Sequence, residues 1–173
     1  MRVRSGLFAS GAASAVLLMA GGATALPSGP SPGLVNQGGF TPVISPAGPT
    51  MTVDLRANRT IIDWSSLEIA PGETVNFAFD NRTWIALNRV SSGPISINGQ
   101  LNAVVAPNAQ TPGPPGGNIW LYSPGGVVFG PNTRVDVGGL LATSSSPDQA
   151  LFLVSQSLSH TLTGDGSGGP VTV

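Results

Sequence analysis

Few side chains in this sequence are equipped for catalysis. Beyond residue 25 the carboxylates are Asp54, Asp63, Glu68, Glu73, Asp80, Asp136, Asp148 and Asp165, and the one histidine is His160. Carbohydrate-cleaving enzymes gather carboxylates in one groove, often beside a metal or a basic residue. Here they are scattered. Asp54 with Asp63, and Glu68 with Glu73, are spaced so that they can approach within a coil, and the ordinary exposure of carboxylates reads them as solvated turn or strand-end charges. His160 lies in "SLSHTLTG" beside Ser157 and Ser159, but no Gly-x-Ser-x-Gly elbow presents a nucleophile, so it reads as a surface or strand histidine. The Gly-rich "GDGSGG" lacks the lysine of a phosphate loop and opens no helix. With no cysteine and a single histidine, thiolate sites, disulfides and the usual zinc constellations are excluded. No catalytic, cofactor-binding or metal-ligating residue is expected.

Two other constellations invite chemistry. "NRTIIDW" starts at Asn58 and "NRTWIAL" at Asn81, 23 residues on. The pair reads as two sequons, as the surroundings of a catalytic Asp63, or as one structural unit used twice. Trp64, Trp84, Trp120 and Tyr122 offer flat faces suited to sugar rings, with core and cap packing as the plainer use. Trp120 and Tyr122 share a parity opposite to Ile119 and Leu121, so one pair must face away from the interior, where an extra-helical hairpin is expected to meet it.

The elements that position these residues are strands. The chain of 173 residues carries 24 Gly and 16 Pro, only 9% charged residues and a net charge of −1, which offers no field for nucleic acid or anionic lipid. Arg2 and Arg4 precede an apolar stretch, and "ATA" closes it at Ala25, so residues 1–25 read as a cleaved secretory signal. Residues 26–50, rich in Pro and Gly, read as an extended or disordered lead-in, with the folded domain starting near Met51. From there "TIIDW", "ETVNFAF", "TWIALNRV", "ISING", "NIWLYS", "GVVFG", "TRVDVGGLLA" and "ALFLVS" read as short strands between Gly, Pro and Asn turns. "APNAQTPGPPGG" is a loop inserted between them. An antiparallel sandwich is the default for such a chain, and a solenoid is the alternative that a 23-residue step announces.

The succession "IIDWSSLEIAPGETVNF", "ALNRV", "INGQL" and "YSPGGVVFGPNTRVDVGGLLATS" resembles the N-terminal secretion domain of filamentous haemagglutinin-like exoproteins of two-partner secretion systems, over about Met51 to Ser146. The resemblance implies an all-β, right-handed parallel β-helix with an N-terminal cap and short extra-helical strands. It implies a role in secretion targeting and folding nucleation, with export through the periplasm and outer membrane to the cell surface or beyond. The implied partner is a TpsB/Omp85-type transporter with periplasmic POTRA domains. The family's Asn-Pro-Asn-Gly is Ser123, Pro124, Gly125 and Gly126 here, keeping only Pro124 and Gly126, so a tight turn or transporter-recognition motif is expected without the asparagine amides. Asn88 and Arg89 are expected to serve a cap or recognition role, with Arg89 bridging to Asp63 or Asp80. The family's domain continues further, so residues 51–173 are expected to be a truncated unit or a stand-alone module, with any glycan target contacted by missing downstream segments. The competing reading is a small stand-alone β-helix that binds or cleaves surface carbohydrate. Under the favoured one, "NRTIIDW" and "NRTWIAL" are neighbouring coils whose Asn58 and Asn81 turns stack.

Overall fold

The computed structural model of the chain describes residues 25–31, 34–35, 39–106, 113–154, 162–163 and 167–173. Residues 1–24, within the stretch read as a signal, and His160, Asp165 and residues 107–112 of the inserted loop lie outside the described residues.

The backbone winds a right-handed parallel β-helix, the hand that crossover connections between parallel strands adopt. After β1 (Leu34–Val35) and β2 (Phe40–Ala47), each coil contributes one strand to each of three sheets. The first coil is β3 (Thr50–Arg56), β4 (Arg59–Trp64) and β5 (Glu68–Ile69), and the second is β6 (Thr74–Phe79), β7 (Ile85–Val90) and β8 (Ile95–Ile97). The third is β9 (Gln100–Val105), β10 (Asn118–Tyr122) and β11 (Val127–Phe129). The fourth is β12 (Arg134–Asp136) and β13 (Gly139–Thr143), then an excursion through β14 (Ser146–Pro147), α1 (Gln149–Val154) and β15 (Leu162–Thr163) before β16 (Val171–Thr172). The first sheet runs β12-β9-β6-β3-β2, the second β1-β4-β7-β10-β13 and the third β16-β11-β8-β5.

Period-two alternation sends every second side chain inward. Val53, Leu55, Val75, Phe77, Phe79 and Leu101 from the first sheet meet Ile62, Trp64, Ala86, Ile119 and Leu121 from the second and Ile69, Ile95, Ile97 and Val127 from the third. Burying such side chains contributes roughly 1.5–3 kcal/mol each, which a chain without disulfides needs. The first coil is sealed below: β2 pairs antiparallel with β3, β1 antiparallel with β4, and Ser28 bridges to Ser66.

Four expectations change. Residues 26–50 hold β1, β2 and the Ser28 contact, so the segment read as a lead-in supplies the cap; Pro42 and Pro46 are tolerated because β2 is an edge strand whose outer side has no ladder to complete. β4 and β7 are neighbours as expected, but Arg59 stands opposite Ile85, a step of 26 rather than 23. The cause is a turn in which Asn81 O accepts from Trp84 N at 3.2 Å and Asn81 Oδ1 from Thr83 N at 3.0 Å, so Asn58 lies level with Trp84 and not with Asn81. "TRVDVGGLLA" divides at a corner into β12 and β13. "ALFLVS", expected as a strand, contributes to α1: Asp148 Oδ1 accepts from Leu151 N at 2.8 Å and Asp148 O from Phe152 N at 2.9 Å, an N-cap that turns the run into a helix.

Candidate functional site

Ser123, Pro124, Gly125 and Gly126 form the corner between the second and third sheets in the third coil. Gly126 has a φ of 95°, which a side chain rarely tolerates, and an added Cβ on Gly125 would lie 2.5 Å from the carbonyl carbon of Gly93 in the corner below. On the other side Gly169 N donates to Pro124 O at 2.7 Å. Three corners thus stack backbone on backbone. Ser123 pins the turn: its buried hydroxyl donates to Gly93 O at 2.5 Å and accepts from Gly125 N at 3.0 Å.

Asn88 and Arg89 sit side by side on β7 and point to opposite faces. Asn88 is inside the coil and fully buried. Its Oδ1 accepts from Trp64 Nε1 at 3.0 Å, while its Nδ2 donates to Ala86 O at 3.3 Å and Trp120 O at 3.5 Å. The amide therefore satisfies the indole N–H of the coil below and tethers the strand above. Arg89 faces outward, level with Asp63 on β4 and Tyr122 on β10. Its Nε and Nη2 donate to Asp63 Oδ1 and Oδ2 at 2.6 and 2.8 Å, a bidentate pair between adjacent coils. Its Nη1 donates to Gln149 Oε1 at 3.0 Å, tying in the start of α1. Because Tyr122 precedes Ser123 directly, Arg89 and the corner share one end of the second sheet, whereas Asn88 is enclosed behind it.

The outer face of that sheet carries the row Ile61, Leu87, Trp120 and Leu141, in register across β4, β7, β10 and β13. Phe152 of α1 closes over it, fully buried with Ile61, Ile85, Leu87 and Trp120. Its ring lies 5.5 Å from that of Trp120 at 56°, and the Arg59 guanidinium lies 5.4 Å from its centroid. Burial lowers the Arg59 guanidinium from its ordinary pKa by disfavouring the charged form. Trp120 and Tyr122 are thus the outward pair, but a helix rather than a hairpin meets Trp120. Sequence reasoning missed α1, whose one signal was Asp148 ahead of a run of helix formers.

The carboxylates do not converge. Asp54 accepts from Arg56 Nη2 at 2.6 Å on the first sheet, Asp63 pairs with Arg89 on the second, and Glu73 takes two backbone N–H groups. Asp54 and Glu73 are buried rather than solvated, contrary to expectation, because neighbouring donors hold them in place. Among the described residues no three of His, Cys, Asp and Glu are grouped to hold a metal ion.

Comparison with known proteins bears on this arrangement. Two heme/hemopexin-binding proteins of Haemophilus influenzae are 32% identical over 102 residues and 33% identical over 95 residues. The matches span 58% and 54% of this chain but only 10% and 9% of those proteins. The crystal structure of the HMW1 secretion domain from Haemophilus influenzae matches with a TM-score of 0.60 at 19% identity, covering 73% of this chain and 29% of that one, a likeness of fold. The TPS secretion domain model matches residues 28–172, from the Ser28 bridge to the last strand, and the chain belongs to that family.

Proposed function

We propose that this domain targets an exoprotein to a TpsB-type outer-membrane transporter, binds the transporter's POTRA domains during passage, and nucleates the coil stack outside. The family places the exoprotein on the cell surface or in the surrounding medium. The observation that carries the nucleation reading is the polarity of the stack. The first coil is sealed by β1, β2 and the Ser28 bridge, whereas the fourth exposes Val135 and Leu140 around an apolar cleft of about 610 Å³ that Phe129 and Val173 also line. Such an end is suited to template a further coil.

Residues 1–25 act as the cleaved leader in this reading, and the unit that follows includes the cap. The Ser123–Gly126 corner serves as a structural turn, Asn88 as a buried tether and Arg89 as a bridge between coils. No catalysis is assigned. Binding of the kind named for the Haemophilus relatives, or adhesion to a glycan, belongs to segments outside the 10% of their length that this chain spans. A carbohydrate platform on Trp120 is disfavoured because Phe152 occupies its face.

The test is export with and without the cognate transporter. Extracellular protein is expected only when the transporter is present, and an Arg89→Ala variant that still folds is expected to be exported normally. Undiminished export without any partner transporter would overturn the proposal.

A further inference from the structure

Glu73 is buried, 5% exposed, yet no charged group among the described residues is one of its partners. Both its partners are neutral: Ala70 N donates to Oε2 at 2.8 Å, and Ala25 N donates to Oε1 at 2.8 Å from 48 residues away. A buried carboxylate held by peptide N–H groups alone gains from a cation, since removing a charge from water is costly unless it is paired. All seven basic residues of the chain are arginines, and Arg56, Arg59 and Arg89 are engaged with Asp54, Phe152 and Asp63.

Ala25 is also the last residue of the leader read from the sequence, so the bond between Ala25 and Leu26 is the one cut. Hydrolysis adds one water across that amide. Ala25 leaves as a carboxylate on the leader, and the Leu26 nitrogen becomes an amine that takes the proton as an α-ammonium. The cut removes the Ala25 N–H from Glu73 and creates the cation within one residue of it, a span of at most about 3.6 Å. Leu26 is held there by packing against the core, and Ser28 N donates to Ser66 O at 2.9 Å two residues on.

We propose that leader removal installs the missing counter-ion, with the new α-ammonium of Leu26 replacing the neutral Ala25 N–H at Glu73 and thereby locking the cap onto the first coil. Before the cut the Glu73 carboxylate is met by neutral donors alone; after it, one donor carries a positive charge. The inference rests on the reading of residues 1–25 as a cleaved leader.

The chain exported with its own leader tests both ideas separately. Mass spectrometry of the N-terminus is expected to give Leu26; any other first residue overturns the leader reading and the lock together. With Leu26 first, NMR titration of its α-amino group is expected to place it above the ordinary range of about 7.7–8.0. N-acetylation of the mature chain is expected to lower the unfolding midpoint, and to do so less in a Glu73→Gln variant. An α-amino group titrating in the ordinary range overturns the lock alone. That measurement needs only the unaltered chain, so it decides the matter even if Glu73→Gln does not fold.

Discussion

The first and second sheets lie in the same coils and bury equivalent inner rows, yet their outer faces differ. The first presents Thr52, Asn76, Asn102 and Asp136 in register, with Asn102 Nδ2 donating to Asn76 Oδ1 at 3.0 Å. The second presents Ile61, Leu87, Trp120 and Leu141. Water can satisfy the polar row. The apolar row needs a cover, and the chain interrupts its fourth coil to supply one in α1. The outer row of a β-helix thus decides where an excursion must return to the surface, while the inner row decides only that a coil can form.

This contrast yields graded expectations. The largest effect falls on the cover: Phe152→Ala should cost about 3 kcal/mol or more, read as a lower urea midpoint, since it opens a cavity over Ile61, Leu87 and Trp120. A loss under about 1 kcal/mol would mean that the helix is ornamental and that the two faces are alike. Next comes the buried tether behind the same sheet. Asn88→Ala leaves the Trp64 indole N–H without its acceptor and should cost about 2 kcal/mol. Combining it with Trp64→Phe should cost less than the sum of the two single losses, and additive losses would contradict the pairing.

Arg89→Ala should cost about 1 kcal/mol at most, because the Asp63 side chain is 47% exposed and solvent screens the pair. Raising the salt concentration should narrow the gap between this variant and the parent in chemical denaturation. Smallest is the polar row: Asn102→Ala should cost about 0.5 kcal/mol. If thermal melts showed it to be as damaging as Phe152→Ala, the distinction between the faces would fail.

Much of the inner architecture was legible in the sequence. Val75, Phe77 and Phe79 alternate with Thr74, Asn76 and Ala78, and the opposite parity of Ile119 with Leu121 and Trp120 with Tyr122 showed that one pair faces out, though not which. That Arg89 had partners in Asp63 or Asp80 was legible too, but only the register of β4 against β7 selects Asp63. What covers or joins the strands was harder to read. Pro42 and Pro46 look like disorder unless β2 is known to be an edge, which depends on the whole sheet. The Asn81 turn adds residues that no repeat count predicts, and the corners absorb such additions: β3 to β6 advances 24 residues from Thr50 to Thr74, whereas β9 to β12 advances 34 from Gln100 to Arg134. At α1, six residues are too few for helical periodicity to declare itself against a strand-like composition. The Ser123 hydroxyl holds its corner through Gly93 O and Gly125 N, and the first of these contacts depends on which corner lies below it.

The reach of Phe152 back to Ile61 also sets an order of events. Every coil strand after the first coil pairs with one already synthesised, so a chain emerging N-terminus first can zip coil by coil as it arrives. The apolar strip on the second sheet has no such immediacy: it accumulates from Ile61 through Trp120 and stays bare until Phe152 has emerged. Zippering and latching are therefore separate clocks, and a stall between residues 120 and 152 would leave a formed but unlatched stack with its adhesive strip facing water.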